Sequence, residues 1–401
     1  MPILLQINVT ANWGSTGKIA EDIGKVAIKN GWESYIAYGR DTNPSSTSQL
    51  IPIGNKWDMY YHGLKTILFD SHGLASKKAT KEFIEKVKQI NPDIIHIHNI
   101  HGYFINYEIL FEYLAMAGKP IVWTLHDCWS FTGHCAYFDM VNCDGWKSGC
   151  VDCRHKKVYP ASKIFSNSAN NYNRKKVAFT SVKDMIFVPV SDWLLKFLGE
   201  SFLSKYPRKT IHNGIDTNVF IPTNHKQKAE GRFSIIGVAS VWAERKGLKD
   251  FLELRKSLSE NYEITIIGLN KEQIDSLPQG IKGIARTNSL AELIEYYSNA
   301  DVYVNPTYED NFPTTNIEAL ACGTPVITYN TGGSIEAIDT HTGRIVEQGD
   351  IDGLVSSIVE LCTDPNKSNT RKECRERAVA LYNKDDRFME YLNLYNTLIK
   401  K

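Results

Sequence analysis

The chain has 401 residues, which at roughly 100–200 residues per domain asks for two or three domains. Hydrophobic residues make up 42% and charged residues 23%, a composition that excludes a disordered or fibrous chain. Its 46 basic and 45 acidic side chains leave a net charge of +1, so no overall field draws it to nucleic acid.

The charge is not evenly spread: residues 1–200 carry 22 basic and 18 acidic side chains, and residues 201–401 carry 24 and 27. An excess of +4 in the first half would suit contact with an anionic membrane surface, although a surface with no partner would look much the same. No apolar run approaches the ~18 residues that span a bilayer, and Met1–Thr10 has no basic leader, so the start reads as a strand. Eight cysteines without a leader fit a reducing compartment, and the expected location is the cytoplasm, at the inner face of the membrane if the first half touches lipid.

In chain order, the run Ile3–Val9 leads into Gly14-Ser15-Thr16-Gly17-Lys18 and then an apolar period through Ile19, Ile23 and Val26, the pattern of strand, glycine loop and helix. Strand-like runs follow at Ser34–Ala37, Ile94–His98, Pro120–Leu125 and Met185–Val190, with helical patterns at Thr80–Ile90 and Tyr107–Ala117 between them. The alternation implies a parallel sheet. After Pro207 it restarts: Thr210–His212, Phe233–Ala239, Glu263–Ile267, Ile281–Ala285, Asp301–Asn305 and Pro325–Tyr329 read as strands, with a polar stretch at Thr223–Arg232. Phe388, Leu392, Tyr395 and Leu398 mark a final amphipathic helix. The fold class is α/β, with an N-terminal Rossmann-like domain over 1–206, a second over 207–384, and a cleft between them. In such sheets ligands sit at the carboxyl ends of the strands.

Gly14–Lys18 is not a nucleotide P-loop, because Asn12 and Ile19 stand where that motif needs Gly and Ser or Thr. Residues 307–325 are more informative. A polar loop, Thr-Tyr-Glu-Asp-Asn-Phe-Pro, enters a helix that Gly323 and Pro325 end, so the amides of Thr314, Thr315 and Asn316 offer an anion site, bordered by Asp310 and, one turn into the helix, Glu318. Alternatively Asp310 or Thr314 caps the helix and Glu318 is solvated.

Asp310 to Glu318, followed by Ala319-Leu320-Ala321-Cys322-Gly323-Thr324-Pro325, resembles the carboxylate-x7-Glu motif of the retaining glycosyltransferases of family 4, which have the two-Rossmann GT-B fold. Val122–Asp127 is similar to their strand-end histidine motif, Val190-Ser191 and Asn213–Asp216 to their interdomain segments, Lys246-Gly247 to their phosphate-binding lysine, and Gly332–Glu336 to the following loop. The resemblance further implies that the last helix, 385–401, crosses back onto the N-terminal, acceptor-binding domain. By the same resemblance Glu318 binds the ribose of a nucleotide sugar, Asp310 a sugar hydroxyl, and amides around Asn311, Phe312, Thr314 and Thr315 the sugar and diphosphate. Lys246, with Arg245, neutralises the departing diphosphate, His126 holds the donor sugar, and Gly17 lies in the N-terminal glycine loop that would approach the donor.

Two departures stand out: the first carboxylate is Asp310 where Glu is usual, with Glu309 beside it as a substitute, and Ser240-Val241 replaces the customary Gly-Arg. The implied activity is metal-independent, retaining transfer of a hexose from a nucleotide diphosphate sugar, with UDP the favoured base and GDP the second, to a hydroxyl of a glycan or lipid-linked acceptor in surface polysaccharide synthesis. A catalytic metal at Asp350-Ile351-Asp352 is rejected because Asp is a favoured cap at that helix start. Cys135, Cys143, Cys150 and Cys153 form a candidate structural zinc set, with free thiols the next reading. His96, His98 and His101 stay unassigned. The competing functions are a sugar-nucleotide epimerase on the same fold and a zinc-dependent binding module.

Overall fold

In the computed structural model, residues 1–400 are described apart from 152, 154, 224–228 and 230. Most of the polar stretch 223–232 therefore lies outside the described residues. Two compact units emerge, Met1–His212 with Arg387–Lys401, and Asn213–Asp386.

The first unit holds six strands: β1 (Ile3–Asn8), β2 (Glu33–Tyr38), β3 (Gln49–Pro52), β4 (Ile94–Ile97), β5 (Ile121–Leu125) and β6 (Met185–Pro189). They pair in parallel in the order β3-β2-β1-β4-β5-β6. Side chains alternate across a strand, so Leu5, Ile7, Ile95, Ile97, Trp123 and Phe187 feed one core, while Leu4, Ile94, Val122 and Val188 feed the other. That second core is closed by Ile19, Ile23, Val26 and Ala27 of the helix Gly14–Lys29 and by Phe388, Tyr391, Leu392 and Tyr395 of the last helix, Lys384–Ile399. Each large apolar side chain buried there contributes roughly 1.5–3 kcal/mol.

The second unit repeats the plan with β7 (Phe233–Val238), β8 (Tyr262–Ile267), β9 (Ile281–Ile284), β10 (Val302–Asn305), β11 (Val326–Tyr329) and β12 (Gly343–Val346), again all parallel, in the order β12-β11-β10-β7-β8-β9. Each unit is thus Rossmann-like, with its winding direction reversing beside its first strand, between β1 and β4 and between β7 and β10. The break between units falls at 212/213 and not at 206/207, because 207–211 runs along the edge of β6: Phe187 N–H donates to Pro207 O, Lys209 N–H to Phe187 O and Ile211 N–H to Pro189 O. That stretch was expected to open the second unit as a strand at 210–212, and it adds instead to the first sheet.

The last helix is fastened by a polar contact as well. Tyr395 Oη lies 2.6 Å from His96 Nδ1, His96 Nε2 lies 2.8 Å from Thr124 Oγ1, and Thr124 donates to Tyr391 Oη at 3.1 Å. Since Thr124 spends its hydroxyl proton on Tyr391, it accepts from His96 Nε2–H, and His96 Nδ1 then accepts from Tyr395. One neutral tautomer satisfies the whole set. Burial pushes His96 and His98 well below the ordinary histidine value of 6.5 and His62 to about 4.

These groups bind protons only in the unfolded chain between their folded and unfolded values, so stability falls as pH drops below 6.5. Urea midpoints taken at pH 7 and pH 5 should show that loss. Tyr395→Phe should cost about 1 kcal/mol at pH 7, by stranding His96 Nδ1 without its donor; an unchanged midpoint would contradict the bond.

Candidate functional site

The carboxyl edges of both sheets carry the side chains that the sequence singles out. In the first unit, His98 directly follows β4 and His126 directly follows β5. Gln6 in β1 settles their chemistry. Its amide Nε2 donates to Ala20 O at 2.7 Å, because a carbonyl can only accept, and this turns Oε1 toward His98 Nε2 at 3.0 Å. His98 therefore donates through Nε2, and its Nδ1 accepts from His126 Nε2 at 3.1 Å. His126 is left with its proton on Nε2 and with Nδ1 as its lone-pair nitrogen. Burial is the largest influence on His126 and lowers it to about 4 despite the neighbouring Asp127 carboxylate.

Asp127 is itself buried beside His101, with Nε2 2.7 Å from Oδ2, and accepts from Trp129 N–H at 2.9 Å. Burial would raise this carboxyl, but the imidazole and the amide together hold it below the ordinary range. Gly17 is buried where its helix meets the loop before it: a Cβ there would stand 2.7 Å from Thr10 Oγ1, and its carbonyl accepts from Asn12 N–H at 3.1 Å. These contacts give Gly17 a packing role.

In the second unit the loops after β7 and β10 meet at the point where the winding reverses. Gly247 makes this approach possible, with φ +72° and a Cβ position only 2.0 Å from Pro306 O. The neighbouring cations then divide. Arg245 donates to Glu309 O at 2.7 Å and Tyr308 N–H donates to Arg245 O at 2.7 Å, so the arginine braces the loop backbone. Lys246 forms an ion pair with the Asp310 carboxylate, both side chains being mostly buried. Of the two adjacent acids, Asp310 is the one that meets the lysine, and Glu309 is buried.

The loop after β11 clamps the other side, where Gly333 N–H donates to Asp310 O at 3.2 Å and a Cβ on Gly332 would lie 1.8 Å from that oxygen. The helix Thr314–Ala321 follows Phe312 and Pro313 and receives no side-chain cap. Neither Asp310 nor Thr314 caps it, and Asp310 stands in the loop four residues before its first turn. Asn316 is fixed by Asn305 at 2.8 Å and by Ser334 O at 3.0 Å, Asn311 and Phe312 are buried, and Thr314 and Thr315 are half-buried at the helix start. Glu318, one turn in, accepts from Tyr297 Oη at 3.1 Å, which sets the carboxylate's direction.

The cysteines lie near one another. Cys135 hydrogen-bonds to Cys153, which lowers Cys153 and raises Cys135, while Cys150 Sγ accepts from Gly133 N–H at 3.0 Å and is pushed up by burial to about 11. Among the described residues the four sulfurs do not converge as a ligand set. Asp350 caps the helix Ile351–Thr363 through a 2.8 Å bond from Gly353 N–H. Sequence reasoning missed Gln6 and left His98 unassigned. The usable signal was positional, since His98 and His126 end adjacent parallel strands.

Residues 232–364 match the family described as glycosyl transferases group 1. A protein of Escherichia coli K12 named "Putative colanic acid biosynthesis glycosyl transferase WcaC" is 24% identical over 98% of this chain and 100% of its own. An N,N'-diacetylbacillosaminyl-diphospho-undecaprenol alpha-1,3-N-acetylgalactosaminyltransferase of Campylobacter jejuni is 26% identical over 39% of this chain and 42% of its own. Among solved structures, Anabaena HepE in complex with UDP shares the fold at TM-score 0.68 and 13% identity, over 99% of this chain and 100% of that one.

The hydrogen-bond chain through Gln6 makes a definite expectation for His126. Nitrogen-15 NMR should find it neutral and protonated on Nε2 from pH 8 to 5, with a midpoint near 4. A midpoint near 6.5, or a proton on Nδ1, would contradict the hydrogen-bond chain, and Gln6→Leu should mix the two tautomers.

Proposed function

We propose that this chain, whose residues 232–364 match the family described as glycosyl transferases group 1, moves a hexose from a UDP-sugar, with retention of anomeric configuration, to a hydroxyl on a lipid-linked glycan acceptor in surface polysaccharide synthesis. The chain shares the GT-B fold, and two of its relatives are named for colanic acid and capsular polysaccharide biosynthesis. UDP as the donor nucleotide is supported by the UDP in the HepE structure, and a lipid-linked acceptor by the undecaprenol-linked substrate in the Campylobacter relative's name.

The observation that carries the reading is the Lys246–Asp310 pair beside the uncapped start of the helix Thr314–Ala321. As the glycosidic bond breaks, negative charge grows on the diphosphate. An ammonium and a helix N-terminus already in place stabilise that charge without reorganising. Together they supply the positive charge that a divalent cation brings elsewhere, so the proposed reaction runs without a catalytic metal. Before donor binds, Asp310 neutralises Lys246. The diphosphate competes for the ammonium, and the released Asp310 carboxylate then accepts from a sugar hydroxyl. Glu318, oriented by Tyr297, takes the ribose hydroxyls.

An epimerase on the same fold would convert the sugar while it stayed attached to its nucleotide. Incubating the protein with UDP-hexose and a lipid-linked acceptor, with proton NMR of the product's anomeric coupling, separates these outcomes and tests retention directly. Lys246→Ala should lower turnover by roughly a hundredfold or more. Asp310→Asn removes the competitor for the ammonium, so UDP should bind about threefold to fivefold tighter by calorimetry while sugar transfer slows. Weaker UDP binding in that variant would overturn the exchange of partners at Lys246.

A further inference from the structure

The helix Lys56–Phe69 is built inside out. Only His62 and Thr66 are buried among its fourteen residues. Both are polar and satisfied: His62 Nδ1 meets Ser76 Oγ at 2.8 Å, its Nε2 accepts from Gly73 N–H at 3.0 Å, and Thr66 donates to His62 O at 3.0 Å. The outward face is apolar and aromatic. Trp57 is 81% exposed, Tyr60 63%, and Tyr61 and Leu64 each 55%. At spacings of three, four and seven these side chains form one stripe, which Ile67 continues, and Phe69 is exposed at the helix end beside it.

A second segment widens the face. Lys163 N–H donates to Ile67 O at 2.8 Å, and Phe165 stacks on Phe69 with centroids 6.0 Å apart and planes at 6°, leaving Ile164 and Phe165 more than half exposed. Water penalises so large a set of apolar groups, and a folded chain that keeps them outward has a use for them.

We propose that this face docks the first unit on an anionic lipid bilayer. The helix is too short and too polar to cross one: among the described residues no helix is long and apolar enough to span a membrane. It has instead the character of an interfacial helix, with Trp and Tyr side chains that suit the headgroup region and leucine and isoleucine that reach the acyl boundary. Charge selects the lipid. Lys56, Lys65 and Lys163 are exposed around the apolar stripe, and Lys65 Nζ lies over the Tyr61 ring at 5.5 Å. Asp58, the only acid on the helix, is turned into its N-terminal cap, accepting from Asn55 N–H at 3.0 Å. The helix face is therefore apolar with a basic rim and, among the described residues of the helix, no outward acid, which complements phosphatidylglycerol headgroups more closely than a neutral protein surface.

The inference deepens the acceptor reading given above, since a bilayer-borne substrate asks for an enzyme held at the bilayer, but the two are measured separately. Vesicles of phosphatidylcholine alone, and with 30% phosphatidylglycerol (about one lipid in three), are pelleted with the full chain at low salt. The wild type should pellet with the anionic vesicles and not with the neutral ones, with a blue shift in tryptophan emission. Trp57→Ser with Tyr61→Ser and Leu64→Ser should weaken partition by at least about tenfold, and Lys65→Glu with Lys163→Glu by roughly fivefold for each lysine lost.

All five side chains are exposed, and an unchanged circular dichroism spectrum and UDP affinity confirm the fold of each variant. Wild-type chain that stays in the supernatant, or a triple serine variant that pellets as before, overturns the proposal. So does a wild-type dimer that the triple serine variant turns into a monomer without any lipid binding. Vesicle binding by a chain that transfers no sugar would leave this surface standing and remove the acceptor reading instead.

Discussion

Parallel pairing is the constraint from which the rest follows. Every strand in both sheets runs the same way as its neighbours, so every return crosses the sheet and every loop after a strand lies on one edge. Residues far apart in sequence, such as Lys246 after β7 and Asp310 after β10, are brought to one edge by that rule. Their side chains could not meet without the close approach that Gly247 and Gly332 permit. The corner is thus made by backbone geometry first and by charge second.

The first unit adds a different kind of precision. His96, His98 and His126 are held neutral by burial, and the partners of each set which nitrogen carries the proton. The sequence of such partners begins at a helix carbonyl, Ala20 O, and ends at His126. A helix that packs for apolar reasons thereby fixes the chemistry of a side chain on the far strand. His96 works the same way toward the last helix, through Tyr395 and Thr124.

Much of this was legible in the residues. Strand runs of continuous Ile and Val marked the sheet interior, and the Asp310 to Pro325 stretch announced a loop entering a helix, because glycine, proline and capping chemistry act locally. β3 and β12 were missed, since Gln49-Leu-Ile-Pro52 and Gly343-Arg-Ile-Val346 are short edge strands with too little apolar content to stand out. The segment 207–211 was misread because only pairing with β6 tells it from the start of a new unit. Hydrogen bonds across strands, such as Gln6 to His98 or Lys246 to Asp310, depend on register and on loop approach, which no single segment encodes. The inverted helix at 56–69 escaped for a related reason: period shows that a face is apolar, and only packing shows which way it points.

The discontinuity of the first unit also has a meaning in time. During synthesis, domains usually complete themselves from the N-terminus onward as the chain emerges at about 5–20 residues per second. Here the core formed by Leu4, Ile94, Val122 and Val188 has the helix Gly14–Lys29 against it early but lacks the rest of its cover until Phe388, Tyr391, Leu392 and Tyr395 have been made. The whole second unit, Asn213–Asp386, precedes them. At that rate the first unit waits roughly ten to forty seconds with an apolar sheet face open. The unit that begins first is finished last, and a nascent chain interrupted anywhere in the second unit presents that open face to chaperones.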